Sequence, residues 1–390
     1  MADEPKHPPD VSLDRATLSA QALGWVAPPF AEIAPPIHVA TTYERAPDGG
    51  YPGGRVYARD QSPAFDQVQA LLARLEGGRA AMVFASGMAA AAALFQSLAP
   101  GQRVLAPKGM YWALRRWLLQ HAAAWGLEVE LYDNANTDQL AALARAAPTR
   151  LIWVETPANP CWQITDIAAA AEIARQTGAV LAVDSTVAAT IFTQPLALGA
   201  HVVMHSATKY LNGHSDVVAG ALVTADEDEL WQRVRAVRAG CGAVLGAFES
   251  WLLLRGMRTL HVRVPTAARS AHAIAERLAA HSQVLKVLYP GLAGDDGHAV
   301  AVRQMHGGFG AMLSVRLKGG ETAARAFAAN LQLFKRATSL GSVESLAEHR
   351  ASVEGPGTTC PPDLVRLSVG IEHVDDLMAD LAQALERAGA

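Results

Sequence analysis

Residues 150–209 read RLIWVETPANPCWQITDIAAAAEIARQTGAVLAVDSTVAATIFTQPLALGAHVVMHSATK. Three short apolar runs stand in this stretch, RLIWV, AVLAV and HVVMH, and each ends on polar residues. The first two are separated by DIAAAAEIARQTG, rich in the best helix former and closed by Gly178. Continuous apolar runs of this length suit strands buried on both faces. Strands that alternate with helices predict a mainly parallel sheet covered on both sides.

The alternation continues outward. Upstream, AAMVFAS (80–86), RVLAP (103–107) and LEVELYD (127–133) are expected strands, and MAAAAALFQSLA (88–99) and TDQLAALARAA (137–147) expected helices. GALVTA (220–225) is a further strand. Ser62-Pro63 before FDQVQALLARLEGG predicts an N-cap, Pro in the first helical position and a stop at Gly77. Residues 1–60 carry Pro and Gly with little periodicity and read as an extended arm that needs another surface to lie on. Beyond about Gly256 the texture changes to longer helices (265–281, 322–331, 373–388) with separate strands (310–318, 364–371), as in a smaller α+β domain. The expected division is therefore an arm over 1–60, a large domain over 61–256 and a C-terminal domain over 257–390.

The 390 residues are 51% hydrophobic and 18% charged, with 33 Lys and Arg against 37 Asp and Glu, for a net charge of -4. That balance argues against a nucleic-acid binder working by counterion release. The apolar runs are too short to span a bilayer, and MADEPKHPPD has neither the basic nor the apolar region of a signal peptide, so a cytoplasmic enzyme is expected. Cys161, Cys241 and Cys360 form no CxxC pair, which argues against a disulfide framework or a zinc site. Cys360, in a Pro-rich loop, is expected to be an exposed thiol.

Ligands of open α/β sheets bind beyond the carboxyl ends of the strands, and the chemistry is sought there. Ser86-Gly87-Met88 opens a helix after a strand, and the free N–H groups of such a turn suit a phosphate. Asp184 ends a buried strand, where its charge needs a partner; a cationic pyridine nitrogen is one. Lys209 follows Ser206 and Thr208 at a crowded strand end, where a partly desolvated amine can form a Schiff base with an aldehyde. Those three parts are what pyridoxal phosphate requires. No G-x-G-x-x-G or G-x-x-x-x-G-K-[ST] is present.

The stretch from Asp184 to Gly220, with SATKYLNGHSD at its centre, and VRLSVGIE at 365–372 resemble the Cys/Met-metabolism pyridoxal-phosphate enzymes. This is the trans-sulfuration family of cystathionine γ-synthase, the cystathionine lyases and methionine γ-lyase. The resemblance implies fold type I, the aspartate-aminotransferase-like α/β fold, and pyridoxal 5'-phosphate as cofactor. Lys209 resembles the Schiff-base lysine that also moves the α-proton, and Asp184 the partner of the pyridine nitrogen. Ser86, Gly87, Met88, Ser206 and Thr208 resemble the phosphate cradle. Tyr57 and Arg59 match the pair that reaches a neighbouring subunit's phosphate, Tyr57 also being implied in catalysis and substrate binding. Tyr111 resembles the ring that stacks on the cofactor and shares in catalysis, and Asn159 the residue bonding its phenolic oxygen. Arg366 resembles the clamp on the substrate α-carboxylate, with Ser339 and Thr338 at the substrate. A homotetramer, a dimer of dimers with shared active sites, is implied.

The departures lie on the substrate side. Trp112 and Ala113 replace the glycines after the stacking Tyr, Ser185 stands where Asn is usual, and Thr338 where many cystathionine-handling members carry Glu. HRASVEGPGTTC replaces the common HPASMTH. The expected reaction is carbon–sulfur elimination at the β or γ carbon of a sulfur amino acid. The alternative is γ-replacement joining cysteine or sulfide to an O-acylhomoserine. A Ser/Lys hydrolase on Ser206-x-x-Lys209 is a remote alternative, because that motif should open a helix and here follows a strand. His38, His205 and His214 lack ligand spacing and are expected to be structural.

Overall fold

The computed structural model describes residues 13–26, 30–355 and 358–389; the readings made on the first twelve residues lie outside these. In chain order the elements are α1 (Arg15–Gln21), α2 (Pro63–Glu76), β1 (Ala80–Phe84), α3 (Gly87–Gln96), β2 (Arg103–Pro107), α4 (Trp112–Trp117), β3 (Glu128–Tyr132), α5 (Thr137–Ala146), β4 (Leu151–Glu155), α6 (Ile167–Thr177), β5 (Val180–Asp184), α7 (Ala189–Phe192), β6 (Val202–His205) and β7 (Gly220–Thr224). There follow α8 (Glu229–Cys241), α9 (Ala247–Met257), α10 (Leu260–Ala279), β8 (Val284–Leu288), α11 (His298–Gln304), β9 (Met312–Leu317), α12 (Gly320–Asn330), β10 (Lys335–Arg336), β11 (Leu346–His349), α13 (Arg350–Glu354), β12 (Leu364–Ser368) and α14 (Val374–Gly389). No helix among the described residues is long and apolar enough to cross a membrane.

Two compact units divide the chain: the described residues up to Leu98 with His201–His261, and Ala99–Ala200 with the residues from Val262 onward. In the first, β7 pairs antiparallel with both β1 and β6. The start of α2 follows the expected chemistry. Ser62 is extended and its Oγ accepts the Ala64 N–H, Pro63 opens the helix, and Gly77 closes it at φ +71°. The arm is tied to this unit where Trp251 Nε1 donates to the Pro35 carbonyl at 2.8 Å, and it leaves Phe30, Ile33 and Val39 exposed. Beneath β6, His205 Nε2 and Glu76 Oε1 lie 2.6 Å apart, both side chains buried.

In the second unit β2 pairs parallel with β3 and with β4, and β4 parallel with β5. Leu105, Ile152, Val154, Leu181 and Val183 of these strands form one core with Leu140 and Ala144 of α5 and Ile167 and Ala170 of α6. Burial on this scale is the main driving force for the layer. The same unit holds a five-stranded sheet of order β10-β11-β12-β9-β8, antiparallel except for β10 with β11. This sheet carries three strands the sequence reading did not pick out, β8, β10 and β11, which are too short or alternate too weakly to stand out. The helix expected from Pro265 begins earlier, at Leu260, so that Pro265 lies inside it. Leu260, Val264 and Ala267 are buried there, and packing holds the turn that Pro alone disfavours.

Candidate active site

Each unit carries its own cluster of the expected residues. In the first, Ser86 caps α3: its Oγ accepts the Ala89 N–H at 3.0 Å and its carbonyl the Ala90 N–H. The N–H groups of Gly87 and Met88, in the first turn of α3, have no partner among the described residues. Two glycines make this turn possible. A Cβ on Gly87 would stand 2.8 Å from Ser206 Oγ and 2.9 Å from its Cβ, and one on Gly220 would stand 2.1 Å from the Ser86 carbonyl oxygen. Thus Ser206 lies against the start of α3, and β7 begins flush with the cap.

Next to Gly220, Ala219 fixes the lysine loop. Its carbonyl accepts from the Thr208 N–H and hydroxyl, each at 3.1 Å, and its N–H donates to Thr208 Oγ1 at 2.9 Å. The Lys209 N–H donates to the Ser206 carbonyl and the Lys209 carbonyl accepts the Gly213 N–H, so the backbone is pinned on both sides of the amine's Cα. Thr208 thereby ties the lysine loop to the residue before β7. His214 Nδ1 pairs with the Asn212 carbonyl at 2.8 Å, and His38 is exposed.

In the second unit the strand ends of β4 and β5 lie side by side, with Glu155 and Asp184 in register. Asp184 is buried, and its Oδ1 accepts the Thr186 N–H at 3.0 Å and the Thr186 hydroxyl at 2.6 Å. Glu155 is the residue the sequence reading passed over. Its Oε2 accepts the Tyr111 N–H at 2.7 Å and its Oε1 the Asn159 N–H at 3.0 Å. One carboxyl group thus places both the expected stacking ring and the expected phenolic-oxygen partner. Burial, then the charge of Asp184, pushes the Glu155 pKa up to about 8 against the pull of those two N–H groups.

Asn159 carries the network on. Its Oδ1 accepts from Arg366 Nη1 at 3.1 Å, while Arg366 Nη2 donates to the Ser339 carbonyl at 2.8 Å and to Glu348 Oε2 at 2.7 Å. Ser339 holds φ +91°, a strained conformation for a residue with a side chain, and it presents its carbonyl rather than its hydroxyl to the guanidinium. Thr338 beside it is exposed. Burial, reinforced by Arg350, lowers the Arg366 pKa to about 10 while Glu348 and Glu354 raise it; the group stays charged at neutral pH. The Tyr111 ring is partly exposed and meets Trp112 edge-on at 6.4 Å, and the Arg116 guanidinium lies 4.7 Å over the Trp112 ring.

A cavity of about 870 Å³ in this unit is lined by Trp112, Asn159, Cys161, Arg316, Glu354 and Cys360, among others. Cys360 is buried, not exposed as its Pro-rich loop suggested, and burial with nearby Glu354 pushes its thiol up to about 12. Tyr57 and Arg59 are both exposed on the arm, the guanidinium 5.5 Å over the ring.

These groups match pyridoxal phosphate in kind. A helix start kept open by glycine accepts an anion, a buried carboxylate held by Thr186 suits a cationic ring nitrogen, and a lysine follows a strand end. Together with the sheet architecture they define a pyridoxal-phosphate enzyme of fold type I. The chain belongs to the Cys/Met metabolism PLP-dependent enzyme family, whose model matches residues 17–386. It is 46% identical over 356 residues to a cystathionine gamma-synthase of Mycobacterium tuberculosis (strain ATCC 25618 / H37Rv), covering 90% of this chain and 91% of that one. It is 39% identical over 360 residues to a cystathionine gamma-lyase of Dictyostelium discoideum, covering 90% and 92%. Among solved structures it matches cystathionine gamma synthase from Xanthomonas oryzae pv. oryzae in complex with aminoacrylate and cysteine. There the TM-score is 0.92 at 36% identity, covering 97% of this chain and 99% of that one. The protein is an enzyme of sulfur amino-acid metabolism that uses pyridoxal 5'-phosphate.

Proposed function

We propose that this enzyme breaks the carbon–sulfur bond of a sulfur amino acid by β- or γ-elimination, releasing a thiol, a keto acid and ammonia. The observation that carries the reading is the hydrogen-bonded line Tyr111–Glu155–Asn159–Arg366, which joins the backbone of Tyr111 and the Asn159 amide, through the carboxyl group that ends β4, to a buried guanidinium of β12. That line suits a substrate holding an α-carboxylate on a planar fork. Bound pyridoxal phosphate supplies an electron sink for the charge that develops at the α carbon.

In this reading Arg366 grips the α-carboxylate, with Ser339 and Thr338 beside the substrate. Lys209 anchors the cofactor and moves the proton at the substrate's Cα. Asp184 keeps the pyridine nitrogen protonated, Asn159 meets the phenolic oxygen, and Tyr111 covers the ring and shares in proton handling. Ser86, Gly87, Met88, Ser206 and Thr208 hold the phosphate. Tyr57 and Arg59 serve the site of a neighbouring subunit, with Tyr57 reaching its substrate. Their exposure, and that of Phe30, Ile33 and Val39 on the arm, supports a homo-oligomer, which we take as a tetramer of shared-site dimers. The divisions 1–60, 61–256 and 257–390 and a cytoplasmic location belong to the same proposal.

A second reading, γ-replacement on an O-acylhomoserine by cysteine or sulfide, is favoured by the 46% identity to the mycobacterial cystathionine gamma-synthase. Incubation with cystathionine alone, then with O-acetyl- or O-succinylhomoserine plus cysteine, separates them. Keto acid from cystathionine supports elimination. Cystathionine formed from the esters, without keto acid in the first incubation, overturns it in favour of replacement.

A further inference from the structure

Behind Arg366 lies a second buried guanidinium. Arg350 opens α13 where the resembling family usually has Pro, and its side chain is 2% exposed. Arg350 Nη1 donates to Glu348 Oε2 at 2.6 Å, the same oxygen that accepts from Arg366 Nη2 at 2.7 Å. Glu348 and Arg366 are register partners on the antiparallel pair β11 and β12, so the carboxylate is held at the guanidinium by the sheet itself. On its other edge Arg350 Nη2 donates to Glu354 Oε1 at 2.9 Å, and Thr358 Oγ1 donates to Glu354 Oε2 at 2.6 Å. Four buried charges, two of each sign, therefore form one line from the wall of the cavity to Arg366.

We propose that Arg350 is a positioning residue that draws Glu348 away from Arg366 when an amino-acid substrate presents its α-carboxylate there. The inference rests on the reading of Arg366 as the carboxylate clamp. Glu348 is already a carboxylate bound to that clamp, so an incoming carboxylate both competes with it and is repelled by it. Charges this close in a dry setting interact strongly, and a buried charge that loses its partner is costly. Arg350 gives Glu348 an alternative partner on the same oxygen, so yielding Arg366 leaves no unpaired anion. Without Arg350, Glu348 has Arg366 as its only cation among the described residues and holds it against the substrate.

The test uses the holoenzyme and two probes, l-alanine and l-alaninamide, whose dissociation constants are read from the absorbance change of the bound cofactor. Their ratio isolates the carboxylate. Arg350→Met should weaken l-alanine by about tenfold relative to l-alaninamide, the scale of one charge-assisted contact. Arg350→Lys should keep most of the ratio. Adding Glu348→Gln to Arg350→Met should restore it by removing the competitor, an outcome a merely structural role would not give, since a second lesion in one network adds damage. The inference is overturned if Arg350→Met weakens both probes equally, or if Glu348→Gln restores nothing. If Arg350→Met does not fold, the Lys variant and the double variant decide: a ratio lost in the Lys variant and not regained in the double counts against it. Arg366→Ala is the control. A ratio unchanged there brings down the clamp reading itself, whereas a ratio lost there but kept in Arg350→Met brings down only the role of Arg350.

Discussion

Glu155 and Asp184 end the neighbouring strands β4 and β5 in register, two buried carboxyl groups at one edge of the sheet. They are treated differently by their surroundings. Asp184 accepts from the hydroxyl and N–H of Thr186, whereas Glu155 accepts two backbone N–H groups, and burial pushes its pKa up against them. With its pKa pushed up to about 8, Glu155 keeps its proton at neutral pH.

A pH signature follows in the protein stripped of cofactor. The folded pKa of Glu155, about 8, lies above its ordinary 4.5, so the folded state keeps a proton that the unfolded state loses. The associated stability is fully present below about pH 4.5 and is lost as pH rises to about 8. Between pH 6 and 8 the wild type should lose up to about 1.4 kcal/mol per pH unit that Glu155→Gln does not lose. Urea midpoints at the two pH values measure it; equal pH slopes in the two proteins would refute the assignment.

Gly87→Ala should damage the start of α3. The added Cβ meets Ser206 at both Oγ and Cβ, so the helix start or the lysine loop must shift. Forcing a methyl into packed structure costs about 1–3 kcal/mol. A lowered melting temperature and weaker retention of cofactor are expected. Ser206→Ala in the same chain should not rescue it, because the Cβ at 2.9 Å remains. Rescue by that second change would show that only the hydroxyl was in the way.

Lys209→Ala and Arg59→Ala should each be inactive and should complement each other. If Tyr57 and Arg59 act on a neighbouring site, a hybrid dimer carries one site with both changes and one with neither. Mixing the two variants under conditions of subunit exchange should therefore return up to about half the activity per hybrid dimer, following the symmetry of a paired interface. Hybrids that demonstrably form yet stay inactive would end the shared-site reading.

Thr338→Glu should raise kcat/KM for cystathionine relative to methionine by about tenfold or more, the worth of one charge-assisted contact to a distal ammonium. Thr338 is exposed beside Ser339, whose carbonyl binds Arg366, and it follows the cationic pair Lys335–Arg336 of β10. A cystathionine-to-methionine ratio left unchanged by the substitution would remove Thr338 from the specificity argument.

The sequence by itself determined what is local. Alternating apolar runs and Ala-rich helices specify β1 to β7, and Ser62, Pro63 and Gly77 specify the ends of α2, because period, caps and backbone freedom are properties of a few consecutive residues. The positions of Lys209, Asp184 and the Ser86–Met88 turn at or just beyond the ends of strands were legible for the same reason. Only the tertiary structure decided how those groups are supported. Glu155 reaches Tyr111 across 44 residues and Arg366 reaches Asn159 across 207, and no window of sequence contains both ends of either bond. Arg350 stands in the departing stretch HRASVEGPGTTC, and nothing in that stretch shows its partners, because β11 and β12 set Glu348 opposite Arg366 only in the folded sheet. Cys360 was misjudged because its neighbours in sequence are polar and Pro-rich, while its neighbours in space shut it from water. Burial and charge pairing are set by what the chain brings together, and that is fixed only when the sheets have closed.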